Sequence, residues 1–121
     1  MTKTTKLTEA DLRQFIGTEN RYRHWLKPNV VYTDGVKYVA DHAGAYWLVD
    51  EIAIGQFDSR IAAEPIQFWK LLVCDDRSAE LRCEDGNDRC VFSKRIGYTD
   101  FPLPEIALYF TDDTLLLASE Y

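Results

Sequence analysis

Asp41-His42-Ala43-Gly44-Ala45-Tyr46-Trp47-Leu48-Val49-Asp50-Glu51-Ile52-Ala53-Ile54-Gly55-Gln56 reads as a helix that is apolar on nearly every side except at Asp50 and Glu51. On an ideal wheel Ala45, Leu48, Val49 and Ile52 form one i, i+3, i+4, i+7 stripe, and Trp47 and Ile54 carry the apolar surface around to the side of the two carboxylates. A helix of this kind packs on a sheet and meets a second surface as well. Asp41 suits its N-cap, since a short carboxylate accepts from the free amides of a first turn, and Gly55 suits its end.

Around this helix the chain supplies a sheet. Thr8 and Asp11 are spaced as a capping box and Leu7 and Leu12 as a hydrophobic staple, which predicts a short helix over 8–16 with Leu12, Phe15 and Ile16 inward and Gly17 as its stop. Val30–Thr33 and Val36–Val39 flank Asp34-Gly35, the strongest hairpin signal in the chain. It predicts Thr33 opposite Val36 and Val31 opposite Tyr38.

From Pro65 the pattern is that of an antiparallel meander. Strands over 66–74, 79–84 and 89–96 are separated by Asp75–Ser78 and Asp85–Asp88, and Ala79, Leu81 and Cys83 alternate with Glu80, Arg82 and Glu84. After two prolines, 106–110 and 114–117 close the sheet through Asp112-Asp113, although Pro104-Glu105 also suits the start of a helix. The expected architecture is a single α+β domain over 1–121, with one antiparallel, meander-like sheet of about five to seven strands and two helices packed against it. Residues 1–6 are expected to be flexible.

Charge narrows the range of partners. Twenty acidic and fourteen basic side chains leave a net charge of −6, which repels nucleic-acid backbones and anionic lipid surfaces. The exception is a local cluster, Arg21, Arg23, His24 and Lys27 interleaved with Tyr22 and Trp25, a mixture that can stack on a single strand; such residues more often form a solvated rim. The first residues lack an apolar signal core and no run is long enough to cross a bilayer, which predicts a cytoplasmic protein. Three cysteines, an odd number, argue against a secreted disulfide framework.

Candidate chemistry is sparse. A turn centred between Gly86 and Asn87 would set Cys83 and Cys90 directly opposite each other as a redox pair, against the plainer reading of small core filler. With His24 and His42 alone and no C-x-x-C, no metal-ligand spacing is present, and no cofactor motif or nucleophile elbow occurs. Asp50 and Glu51 point about 100° apart on the helix, so they do not share one proton. They read either as partnered surface acids or as a polar spot beside Trp47 on a surface that receives a partner, Trp47 being its anchor.

The segments Leu7-Thr8-Glu9-Ala10-Asp11-Leu12-Arg13-Gln14-Phe15, Gly17 to His24, Tyr32-Thr33-Asp34-Gly35, Ala43 to Ile52 and the ending Ser119-Glu120-Tyr121 together resemble a family of small, uncharacterised bacterial proteins, also met on plasmids and phages, that share a domain of unknown function. The resemblance runs over almost the whole chain. It implies a bacterial or mobile-element protein and brings no catalytic residues with it. The function expected from the residues is a non-enzymatic interaction module that binds another protein, or itself as a homodimer, through Trp47, Asp50, Glu51 and His42. A sharper version is an acidic inhibitor whose turn carboxylates, Asp75-Asp76, Glu84-Asp85, Asp88 and Asp112-Asp113, imitate phosphates. The alternative is a small hydrolase or ligand-binding enzyme, with a cleft between helix and sheet and His42 working with Asp50 or Glu51.

Overall fold

Thr8 caps the first helix as its spacing predicts. In the computed structural model, which describes residues 7–15 and 20–121, helix α1 spans Glu9–Arg13. The Thr8 hydroxyl accepts from the Asp11 amide at 3.2 Å, and the Asp11 carboxylate accepts from the Thr8 amide at 3.0 Å. The expected ending at Ile16 and Gly17, and the flexible 1–6, lie outside the described residues.

The predicted hairpin on Asp34-Gly35 is replaced by a helix. Strand β1 (Arg21–Arg23) pairs with β2 (Val31–Thr33), and Thr33 then acts as N-cap of α2 (Asp34–Ala43), its hydroxyl accepting from the Val36 amide. The deciding contact is remote. The Glu120 carboxylate accepts from the Thr33 hydroxyl at 2.6 Å, the Gly35 amide at 3.3 Å and the Leu117 amide at 2.9 Å. Gly35 is therefore a site of close approach rather than a turn residue: a Cβ there would stand 2.7 Å from the Glu120 carboxylate.

The long apolar helix is also broken. Gly44 takes φ +60°, and the amides of Gly44 and Ala45 both donate to the Ala40 carbonyl, so α2 stops and α3 (Tyr46–Gly55) starts in a new direction. Asp41 is consequently no N-cap. It sits in the last turn of α2, 2.8 Å from Lys37 Nζ, and accepts from the Tyr46 hydroxyl. The predicted stripe is right: Ala45, Leu48, Val49 and Ile52 are all buried, together with Ala53. A fourth helix, α4 (Ser59–Ala62), is capped by Asp58.

The sheet holds β1 and β2 with β3 (Ile66–Val73), β4 (Ala79–Glu84), β5 (Cys90–Ile96), β6 (Glu105–Thr111) and β7 (Thr114–Leu117), in the order β1-β2-β7-β6-β3-β4-β5. Two expectations are corrected here. The sheet is mixed, because β2 pairs with β7 in parallel while every other neighbour is antiparallel, and four helices rather than two occur among the described residues. The parallel pair follows from the Glu120 anchor, which holds the C-terminal ends of β2 and β7 side by side.

The meander, too, is only partial. After β5 the chain crosses back to pair β6 with the free side of β3. Arg77 holds this crossover, its guanidinium donating to the carbonyls of Thr99 at 3.0 Å and Phe101 at 2.6 Å, and Phe101 is fully buried. The closing hairpin forms as expected, with Asp112 and Asp113 at φ 52° and 58°, both left-handed as a tight turn between twisted strands requires.

Helices α2 to α4 cover one face of the sheet, and the core lies between them, around Trp69, Leu71, Leu81, Leu108 and Leu115. One buried polar cluster ties three elements. Gln56 and Gln67 exchange amide hydrogen bonds at 2.8 and 2.9 Å, the Gln67 side chain also donates to the Ile61 carbonyl, and Trp69 Nε1 donates to Gln67 Oε1.

A candidate interaction face around His24, Trp25 and Asp50

His24 is the keystone of the loop between β1 and β2. Its amide donates to the Val30 carbonyl and the Val30 amide to the Lys27 carbonyl, which closes the loop on itself. His24 Nδ1 accepts from the amides of Leu26 and Lys27 at 3.1 and 3.2 Å. The ring proton therefore sits on Nε2, which donates to Asp50 Oδ1 at 2.7 Å. Trp25 Nε1 donates to the same oxygen at 3.1 Å. With the His24 ring only 3% exposed and both nitrogens engaged, it braces the loop and aims Asp50, and no nitrogen is left to take a substrate proton.

What this brace displays is apolar. Trp25 is 74% exposed, Leu26 44%, Ile54 48% and Phe57 63%. Ile54 stands one turn beyond Asp50 on α3, Phe57 follows the end of that helix, and Lys27 Nζ lies 4.7 Å from the Phe57 ring centre. Loop and helix end thus form one face of large apolar side chains with a carboxylate at its base. Large exposed apolar groups gathered in one place mark a contact surface more often than scattered ones do.

Of the expected partner-binding residues Trp47, Asp50, Glu51 and His42, only Asp50 belongs to this face, to which His24, Trp25 and Lys27 of the basic aromatic cluster also contribute. Trp47 is half-buried and packs on the core, so it is not the exposed anchor. Glu51 accepts from Lys94 Nζ on β5 at 2.7 Å. His42 lies on α2, its Nδ1 donating to the Tyr38 carbonyl at 2.9 Å and its ring stacked on Tyr38 at 3.9 Å. The arrangement of His42 with Asp50 or Glu51 is not formed, since Asp50 is bonded to the other histidine and Glu51 to a lysine. In the basic cluster, Arg21 and Arg23 are exposed on β1, whereas His24 is buried with both ring nitrogens engaged and Lys27 covers Phe57.

Cys83 and Cys90 are not opposite each other. Asp88 at φ 65° makes the turn one residue longer than expected and a bulge follows, so Cys83 pairs with Phe92 and Cys90 with Glu84. Alternation then puts the two thiols on opposite faces of the sheet. Burial pushes the Cys83 thiol up to about 12, while Cys74 and Cys90 are exposed.

The turn acids divide between two ends of the sheet. Asp75 and Asp76 lie at the β3–β4 end, and Asp85, Asp88, Asp112 and Asp113 at the other. Asp76 and Asp85 accept from amides of their own turns, those of Ser78 and of Asn87 and Arg89. Among the described residues no group of three or more His, Cys, Asp or Glu side chains gathers as a metal site would require, and no helix is long and apolar enough to cross a membrane.

Sequence reasoning named Trp25 only as a residue able to stack on a single strand, and it missed Leu26 and Phe57. The available signal for Phe57 was its i+3 spacing from Ile54, both apolar and both outside the core stripe Ala45, Leu48, Val49 and Ile52. In comparisons with known proteins, a family model described as a family of unknown function matches residues 6–121. Curated proteins and solved structures give no match.

Proposed function

Because the chain belongs to that family, DUF6876, whose description assigns no activity, we propose from geometry alone that the protein is an interaction module that binds another protein through Trp25, Leu26, Ile54 and Phe57. The observation that carries this reading is the exposure of four large apolar side chains on a loop and a helix end fastened together by His24 and Asp50. Trp25 is the anchor, since a rigid indole buries the most area at the least entropic cost. Asp50 has a second carboxylate oxygen with which to meet a donor on the partner.

A second copy of the chain is one occupant such a face can take, and sedimentation velocity over a range of concentrations separates self-association from a foreign partner. For a foreign partner, affinity capture with and without nuclease is compared between the native chain and Trp25→Ala/Phe57→Ala. A nuclease-resistant partner lost from the double variant supports the reading. Equal capture by both, from a folded bait, refutes it. Salt tests the acidic-inhibitor version: carboxylates that imitate phosphates form a complex that weakens steeply as salt rises, whereas an apolar contact barely responds.

A further inference from the structure

The face of the sheet turned away from α2, α3 and α4 carries a groove of about 590 Å³, walled on one side by α1. Its floor contains an arrangement that the fold alone does not explain. Lys70 on β3 and Arg82 on β4 stand directly opposite each other, and like charges in that position destabilise a sheet. Glu84 and Glu80 compensate only loosely. The contacts are 3.5 Å from Lys70 to Glu84, 3.3 Å from Arg82 to Glu84 and 3.7 Å from Arg82 to Glu80, all longer than the 2.7–2.9 Å of a charge-assisted hydrogen bond. Glu80 meanwhile accepts from the Ser93 hydroxyl at 2.7 Å.

The two cations together have eight N–H donors, more than these contacts and the Phe68 ring, whose centre lies 5.0 Å from Lys70 Nζ, take up. Across Lys70 on its other side stands Ala107, whose small side chain leaves room above the pair. Leu12, Phe68 and Leu72 supply apolar walls, and the volume falls in the range of small-molecule sites.

We propose that this groove binds a small amphipathic monoanion, its carboxylate over Lys70 and Arg82 and its apolar body along Leu12, Phe68 and Leu72. An ammonium head would meet the cation pair. A neutral head would leave the spare donors facing an apolar body, and a polyanion would meet Glu84 on the floor and Glu9 and Glu105 on the rim, with Arg13 the one further cation in the lining. The groove lies on the face of the sheet opposite to α3, so the proposal is independent of the protein-binding reading.

The probes are octanoate, octylammonium and acetate, each below any micelle concentration, titrated into the isotope-labelled full chain and followed by amide chemical shifts. Octanoate is expected to bind saturably, with shifts centred on Lys70, Leu72, Arg82 and Ala107, at least tenfold more tightly than either other probe. Lys70→Gln and Arg82→Gln should each weaken octanoate at least threefold, and Ala107→Leu, which fills the space and keeps both cations, should abolish its binding. If Arg82→Gln does not fold, the other two variants carry the test. Equal binding of octanoate and octylammonium, shifts confined to Trp25 and Phe57, or octanoate affinity unchanged in the folded variants would each overturn the proposal.

Discussion

His24 shows how one buried ring organises a surface. Replacing it by Leu keeps the volume but leaves the Leu26 and Lys27 amides without their acceptor and Asp50 with Trp25 as its remaining donor, so His24→Leu is expected to cost about 2–4 kcal/mol in urea unfolding. Asp50→Asn retains an acceptor for both donors and should cost about 1 kcal/mol or less. Equal stabilities for the two variants would refute the brace. The cysteines allow a second residue-scale expectation. In native protein the exposed Cys74 and Cys90 should react with an aromatic disulfide reagent, while Cys83, its thiol held neutral by burial, reacts only on unfolding. Rapid reaction of all three native thiols would contradict the burial.

Junctions decide the elements. At the end of α2, Lys37 and the Tyr46 hydroxyl hold the Asp41 carboxyl below its usual range, and the same hydrogen bond, with Asp41 ionised beside it, pushes the Tyr46 phenol up to about 12. The raised phenol value contributes stability that is fully present below pH 10.0 and is lost as pH rises through about 12. The lowered carboxyl value contributes stability present above 3.8 and lost as pH falls through the folded value. In an absorbance titration, Tyr46→Phe should remove the last phenol to ionise, and Asp41→Asn should bring that phenol back toward 10.0; a Tyr46 signal already near 10.0 in native protein would refute the bond. At the start of α2, Glu120→Ala removes the acceptor of three hydrogen bonds and should cost about 2–3 kcal/mol, against about 0.5 kcal/mol or less for an ordinary surface change. An indifferent Glu120→Ala would mean that Thr33 alone starts the helix.

The whole molecule separates its exposed apolar face from its core. Phe57→Ala and Leu26→Ala remove exposed side chains and should leave stability within about 0.5 kcal/mol while abolishing partner capture; a large loss of stability in either would reassign the side chain to the core. Local order was legible in the chain itself. The capping box at Thr8, the stripe Ala45, Leu48, Val49 and Ile52, the alternating strand 79–84 and the Asp112-Asp113 hairpin rest on spacing and turn chemistry, which act between near neighbours. Of the face, Asp50 was legible and Trp25 was read only as a stacking residue, while Leu26 and Phe57 went unread, because exposure is decided by what the rest of the chain leaves uncovered. Asp34-Gly35 suits a hairpin turn and a helix start alike, and the choice fell to Glu120, some 85 residues away in sequence. In the same way, Arg77 holding Thr99 and Phe101 brings β6 beside β3. The sequence by itself determined the caps, the periodicities and the turns, whereas only the tertiary structure decided the strand order, the parallel pair and the exposed face, since these depend on contacts between residues that local pattern does not connect.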